Sequence, residues 1–448
     1  MKIILNDDNR SYNITVQILD NRIQLTHKGD KRVGIFSNIY FRDIIGTRKF
    51  KNENSTTIVI NYCPFIEGTK SRQFKRIFLE YVSEKICQDI SATDQPQDME
   101  ESWLVMDHEK CTEWYEAIQD KISDKKKNYL IVVNPHSGVN SSYSVFSYMV
   151  RPLIESTGSH YDIIPIQHAS ELNNIFDKTD LSKYDTVVVV GGDGTLNSCI
   201  SNLIELKSNL PVGIVPTGSG NAMAKTIADY HGEDLSLIGS IYHIIKGDSH
   251  PINTTKCILK DSDESIYSIL GQAWGLSSDV DIESEYMRCL GSFRFTLETI
   301  KKLFYFRHYK GKIEYLPITE KDSLSEMTWD NPINEHWETI DDKFVLVWGC
   351  QAPFMAHDMK VVPQSKLGDN TIYLIMIREG VTRLDIINIF MKVSDGSHIT
   401  SPYVEVVPVS AYRLYPDDVR EGNITVDGES VEYRPMQVSI SKGAHMTY

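Results

Sequence analysis

The chain has 448 residues, 41% hydrophobic and 24% charged, the balance of a globular protein large enough for two or three domains. A net charge of −15 argues against indiscriminate nucleic-acid binding, and no apolar run reaches the ~18 residues that span a bilayer. Without a signal-peptide pattern the expected location is cytoplasmic, with any membrane contact peripheral. Seven scattered cysteines without a CxxC pair form neither a zinc-site pattern nor a disulfide framework.

Residues 1–125 contain short strand-like runs, "YNITVQIL" and "STTIVINY", between polar turns. An acidic loop, "ATDQPQDMEES", leads to "CTEWYEAIQDKI", where Trp114, Ile118 and Ile122 repeat at helical spacing. Strands closed by one helix suit a pleckstrin-homology-like roll, and equally a generic β module packed on the rest of the chain. From 126 to 248 the texture changes to strand–turn–helix alternation. "YLIVV", "DTVVVV" and "PVGIV" are continuous apolar runs, the mark of parallel strands buried on both faces of a doubly wound α/β layer. From 249 to 448 alternating stretches such as "KCILK", "DKFVLVWG" and "NTIYLIMI" predict mostly antiparallel β-structure, interrupted by a helical "LGSFRFTLETIKKLFYF".

All three strong strands end in turns with little side chain. The first delivers Asn134, Ser137 and Gly138; the second Gly191, Gly192, Asp193, Gly194 and Thr195; the third Thr217, Gly218, Ser219, Gly220 and Asn221. Ligands of open parallel sheets bind at such strand ends. Glycines let a ligand approach the backbone, and the free N–H groups of a following helix attract anions, so nucleotide phosphates are the natural ligand. The Walker A and GxGxxG signatures are both absent. Asp193 admits two readings: a turn-former or helix cap, or a carboxylate that takes a proton from an attacking hydroxyl or helps hold the nucleotide's metal.

These motifs, "NPHSG", "VGGDGTLN" and "VPTGSGNAMA", resemble the nucleotide site of the diacylglycerol-kinase catalytic family. "AWGLSSDVDIESEYMRCLGSFRFTLETI", "YKGKIEYLP", "PYVEVVPVSAYRLYP" and "VDGE" narrow the likeness to its sphingosine kinase branch, over about residues 129–440. The resemblance implies an α/β nucleotide-binding domain followed by an antiparallel β-sandwich that holds a lipid tail. It implies an ATP- and Mg2+-dependent kinase acting on a sphingoid long-chain base at a membrane surface, with Asp193 as general base on the primary hydroxyl. The glycine-rich turns, with Asn134, Ser137, Thr195, Ser219 and Asn221, would cradle ATP; Arg288 and Arg294 would reach its phosphates; Asp427, Gly428 and Glu429 of "VDGE" would return to the nucleotide. Read without the resemblance, that Asp-Gly pair is a hairpin turn. Asp281 would pair with the ammonium of a sphingoid base, a charge that ceramide and diacylglycerol lack; Asp279 and Asp281 share a face if the segment is extended.

The pattern is not complete. Ser198 stands where the family has a glutamate, "SGVNSS" lacks the usual second glycine and basic residue, and Ile166 replaces a threonine. The competing expectations are a ceramide or diacylglycerol kinase, a lipid-binding pseudo-kinase, and a soluble-metabolite kinase of the NAD kinase type.

Overall fold

The computed structural model describes residues 3–4, 11–12, 14–27, 38–51, 55–82, 100–105, 108–122, 126–135, 142–283, 307–318, 327–417, 422–441 and 443–448. After a short antiparallel pairing of Ile3–Ile4 with Ser11–Tyr12 come two small antiparallel-rich sheets: β1 (Ile14–Ile18), β2 (Arg22–His27) and β3 (Asn38–Tyr40), then β4 (Ile44–Lys51), β5 (Ser55–Tyr62), β6 (Lys75–Val82) and β7 (Glu100–Val105). Helix α1 (His108–Lys121) follows, and Ile118 on the expected apolar stripe is fully buried.

The α/β layer is built from β8 (Asn128–Val133), the helical turns α2 (Ser142–Val145) and α3 (Arg151–Ser156), β9 (His160–Pro165), α4 (Glu171–Phe176), β10 (Thr186–Gly191), α5 (Asp193–Glu205), β11 (Val212–Pro216), α6 (Ala222–Tyr230) and α7 (Leu237–Lys246). Strand side chains alternate between faces, and here both faces are apolar. Leu130, Val132, Val187 and Val189 pack under α4, α5 and α6. Tyr129, Ile131, Val133, Val188 and Val190 pack on the opposite side against α3 and α7. That double burial is why the sequence runs are continuous rather than alternating.

The sheet order is β9-β8-β10-β11-β25-β12, where β12 is Ser249–Pro251 and β25 is His445–Thr447. The last two strands enlarge the sheet beyond the expected limit at residue 248. They are three residues each, and one of them arrives from the other end of the chain, so neither leaves a periodic signal.

The β-sandwich comprises β13 (Thr254–Leu259), β14 (Ser265–Ser268), β15 (Gly271–Gly275), β16 (Tyr309–Pro317), β17 (Glu338–Cys350), β20 (Ile372–Arg378), β21 (Glu405–Pro416), β22 (Ile424–Val426), β23 (Glu429–Val431) and β24 (Met436–Ser441). The long strands β17 and β21 each pair with both β16 and β20, which folds the ladder into two layers. Helix α8 (Leu276–Glu283) follows β15, a hairpin of β18 (Phe354–Ala356) and β19 (Met359–Lys360) follows β17, and helix α9 (Arg383–Met391) follows β20. The segment around Asp279 and Asp281 is therefore helical, not extended. At about 100° per residue the two positions do not share a face.

Candidate active site

The register of the parallel strands brings their ends level: Val133 pairs with Val190, and Gly191 with Pro216. Asn134 donates through its backbone N–H to the Val190 carbonyl, and through Nδ2 to Thr195 Oγ1, both at 3.3 Å. Thr217 N–H donates to the Gly191 carbonyl at 3.0 Å, and its hydroxyl lies 2.8 Å from Ser142 Oγ. The three turns expected to converge are thus tied to one another through Asn134, Thr195 and Thr217.

Asp193 opens α5 directly after Gly192, an N-cap with no side chain to satisfy the first N–H groups. Its carboxylate reaches across to the next helix. Oδ2 accepts from Ala222 N–H and Oδ1 from Met223 N–H, each at 3.0 Å. Asn221, the N-cap of α6, is left-handed (φ 50°) and makes no side-chain cap; its Nδ2 donates instead to the Gly218 carbonyl at 2.8 Å. Asp193 is therefore a helix cap as well as an acid at the strand-end edge, although the helix it caps is α6 rather than its own. Burial pushes its carboxyl above the ordinary value, against the backbone N–H bonds from Met223 and Ala222 that hold it down.

The glycines are required by close approach. A Cβ at Gly218 would lie 2.6 Å from the Gly192 Cα, and one at Gly220 3.1 Å from Asp193 Oδ2. A Cβ at Gly194 would meet nothing among the described residues within 4 Å, so this exposed N–H corner of α5 is open. Asn221 Oδ1 is buried with no hydrogen-bond partner. Two helix N-termini, bare backbone and an unsatisfied amide oxygen make an edge suited to an anion with polar appendages.

Other expected residues fall elsewhere. Ser137, Gly138, Arg288 and Arg294 lie outside the described residues, as does the helical "LGSFRFTLETIKKLFYF" segment. Asp281 is placed on α8 by its backbone alone. Ser219 is exposed on the β11–α6 loop. Asp427 and Gly428, at φ 49° and 82°, form the two-residue turn of the β22–β23 hairpin, the turn that Asp-Gly favours. The Asp427 carboxylate accepts from Ser268 Oγ at 2.6 Å and from three successive backbone N–H groups, Ile269, Leu270 and Gly271, at 2.8–3.0 Å. Burial nevertheless raises its carboxyl above the usual range. Glu429 beside it is exposed. Asp279 is buried, accepting from Tyr309 Oη at 2.5 Å and Asn423 Nδ2 at 3.0 Å.

Three contacts had no sequence signal. Asn197 Nδ2, one turn into α5, donates to the Tyr267 carbonyl of β14 at 3.0 Å, next to the residue that holds Asp427. Ser142 reaches Thr217 from the start of α2. His357, at the tip of the β18–β19 hairpin, donates its backbone N–H to the Gly220 carbonyl at 2.7 Å, with Nδ1 3.2 Å from the same oxygen. Each joins positions at least 70 residues apart.

Comparison with known proteins matches residues 128–257 to the diacylglycerol kinase catalytic domain, and residues 274–446 to the YegS C-terminal NAD kinase beta sandwich-like domain. The chain is 29% identical over 354 residues to sphingosine kinase 1 of Arabidopsis thaliana, covering 72% of each chain. It is 29% identical over 329 residues to sphingosine kinase 1 of Homo sapiens, covering 67% of this chain and 85% of that one. Sphingoid long chain base kinase 4 of Schizosaccharomyces pombe is 22% identical, over 71% of this chain and 74% of its own. The fold is that of a diacylglycerol kinase-like protein from Bacillus anthracis str. Sterne, with a TM-score of 0.55 at 20% identity over 72% of this chain and 98% of the other. Two adjoining domain matches, a shared fold and relatives aligned over about 70% of the chain lead to one assignment: the chain belongs to the lipid kinases that join a diacylglycerol kinase catalytic domain to this β-sandwich.

Proposed function

We propose that the chain transfers the γ-phosphoryl group of ATP to the primary hydroxyl of a sphingoid long-chain base, giving the 1-phosphate, with Asp193 as general base. The observation that carries this reading is the Asp193 carboxylate, raised above its ordinary pKa at an edge otherwise made of glycine backbone and helix N-termini. A purely structural cap has no need of that setting, whereas a base works best as its pKa nears the working pH.

The residues present fit a nucleotide. The close Gly218–Gly192 approach leaves backbone where a side chain would intrude, Gly194 faces open space, and the buried Asn221 Oδ1 has an unused acceptor. When bound, ATP supplies the phosphoryl group and its Mg2+ supplies neutralising charge. We assign the nucleotide cradle to Asn134, Thr195, the glycines 191, 192, 194, 218 and 220, Ser219 and Asn221. Ser137, Gly138, Arg288, Arg294 and the turn Asp427-Gly428-Glu429 complete the proposed set. The chain's own work is then to orient the hydroxyl, withdraw its proton at Asp193 and exclude water.

For the lipid, we assign the alkyl tail to the side of the sandwich carrying α8 and α9, which are seated on an apolar cluster that includes Leu276, Val280, Leu346, Trp348, Ile375 and Ile386. Asp281 on α8 is assigned to the ammonium group; leaving a desolvated carboxylate unpaired costs about 1–3 kcal/mol, enough to disfavour a neutral lipid. We place the protein in the cytoplasm with peripheral contact to membranes; among the described residues no helix is long and apolar enough to cross one. The N-terminal sheets and α1 are compatible with a pleckstrin-homology-like module.

The test is phosphate transfer from labelled ATP to sphingosine, ceramide and diacylglycerol in parallel, with Asp193→Asn as control. Sphingosine should be preferred, and the substitution should lower kcat by about 10²–10⁴-fold. Preference for a neutral lipid would overturn the role of Asp281; wild-type turnover in Asp193→Asn would overturn the role of the base.

A further inference from the structure

The β18–β19 hairpin stands between two cores. Ala352 and Phe354 at its root belong to the apolar cluster under the α/β sheet, and Val361 and Val362 beyond it belong to the cluster under α8 and α9. Met355 packs against both. The hairpin lies along α6, where Lys360 Nζ pairs with Asp229 Oδ2 at 3.0 Å and Lys225 Nζ sits 5.5 Å from the Phe354 ring centre. Its tip, His357, grips one atom of the phosphate-facing loop, the Gly220 carbonyl oxygen.

That carbonyl belongs to the peptide linking Gly220 to Asn221. No peptide bond in the described chain is cis, so the C=O and N–H of this unit point in opposite directions. Its oxygen faces His357, and the two residues after Asn221, Ala222 and Met223, give their N–H groups to the Asp193 carboxylate, with Gly220 itself so near that a Cβ there would lie 3.1 Å from Asp193 Oδ2. The peptide is a short lever with the hairpin tip at one end and the candidate base at the other. Glycine at 220 makes the lever easy to turn, since nothing intrinsic to that residue fixes its backbone.

We infer that His357 is a positioning residue for phosphoryl transfer: by holding the Gly220 carbonyl from the lipid side, it fixes the loop that carries the Ala222 and Met223 N–H groups to Asp193 and sets the shape of the nucleotide loop. The inference deepens the reading of Asp193 as base and rests on it. It also gives the lipid-side cluster, through Met355 and the hairpin, a route to the catalytic edge.

Replacing His357 by Ala removes the side-chain half of the grip and leaves the backbone N–H in place. A lost hydrogen bond of this kind corresponds to about a two- to tenfold change. The expected result is a kcat lowered, and a KM for ATP raised, within that range, with KM for sphingosine unchanged. The N–H bonds to Asp193 hold its carboxyl down, so loosening them moves the acid limb of the kcat/KM profile to higher pH. Around that carboxylate the described elements supply backbone N–H groups of α6; the ionisable side chains at the contact of the hairpin with α6 are Lys225, Asp229 and Lys360, besides His357 itself. His357→Asn, whose Nδ2 is a donor of similar reach, should restore both rate and pH profile.

The assay uses the full chain, ATP and sphingosine in mixed micelles, with a thermal melt of each variant. If Asp193→Asn keeps wild-type turnover, the underlying reading fails and the inference with it. If Asp193→Asn is inactive while His357→Ala matches the wild type in kcat, KM for ATP and acid limb, the inference alone falls. A rate loss in His357→Ala that tracks a lower melting temperature and is not rescued by Asn also overturns it, because that is the behaviour of a merely structural residue.

Discussion

The α/β layer meets a neighbour on each side, and the two seams are built on opposite principles. Toward the N-terminal sheets the seam is buried and charged. Arg72, on the loop between β5 and β6, is 9% exposed; its Nε donates to both Glu233 oxygens at 3.0 and 3.1 Å, and its Nη1 donates to Asp43 at 3.2 Å and the Cys63 carbonyl at 2.9 Å. The guanidinium is sandwiched between Phe65 and Tyr242, 4.2 and 3.8 Å from the ring centres. Glu233 also meets His243 of α7 at 3.3 Å, and Ile45, Cys63 and Phe74 from the N-terminal sheets enter the same apolar cluster as β8 and β10. Toward the sandwich, polar links among the described residues are half-exposed: Lys360 to Asp229, His357 to Gly220, and Asn197 to Tyr267. Buried charges resist separation because each would be stranded without its partner, whereas half-exposed contacts re-form with water at little cost. The lipid-side seam is apolar at its core, where Ile269, Leu270, Ala352 and Phe354 join the α/β cluster, and its polar links are therefore the ones that water can replace.

The strongest challenge to that contrast is Arg72→Met. It leaves Glu233 and Asp43 buried without their cation, a loss of about 3–5 kcal/mol. Calorimetry should show a large drop in melting temperature, with the N-terminal sheets releasing in a separate transition. KM for ATP in the fraction still folded should stay near wild type. A melting temperature within a degree or two of wild type would mean that the seam is not welded. Gly46→Ala probes the same seam by shape. Its Cβ would sit 2.3 Å from the Ser156 carbonyl oxygen and 2.9 Å from the Thr157 Cα, both backbone atoms unable to swing away. Overpacking of this kind costs about 1–3 kcal/mol, and thermal melts should place the variant between wild type and Arg72→Met.

How legible these features were follows from how local their causes are. Three continuous apolar runs could be placed as doubly buried strands because each strand carries the requirement in its own residues. The stripe Leu196, Ile200 and Leu203 of α5 is buried, with Ile204 partly so, for the same reason. Asp427-Gly428 is the hairpin its dipeptide suggests. The partner of Asp193 could not be read, because an aspartate at a strand end gives no sign that it caps a helix 29 residues on. Arg72 and Glu233 are 161 residues apart, and nothing in either neighbourhood announces the other. The "DVD" segment misled for a related reason: alternation over three residues fits a strand or a helix turn equally, and packing of Leu276 and Val280 under the sandwich decides for the helix.

The smallest expected effect is the most discriminating between the seams. Lys360 and Asp229 are 23% and 41% exposed in their side chains, and Lys360 also lies 5.2 Å from the Phe354 ring centre. A half-exposed pair of this kind is worth about 0–1 kcal/mol, so Lys360→Ala should barely move the melting temperature. Its consequence belongs in the kinetics, because the pair keeps the hairpin along α6 and thereby His357 on Gly220. KM for ATP should rise about twofold while stability holds, and added salt should produce the same shift in the wild type by screening the pair. Should Lys360→Ala instead destabilise the fold as Arg72→Met does, with KM unchanged, both seams are structural welds.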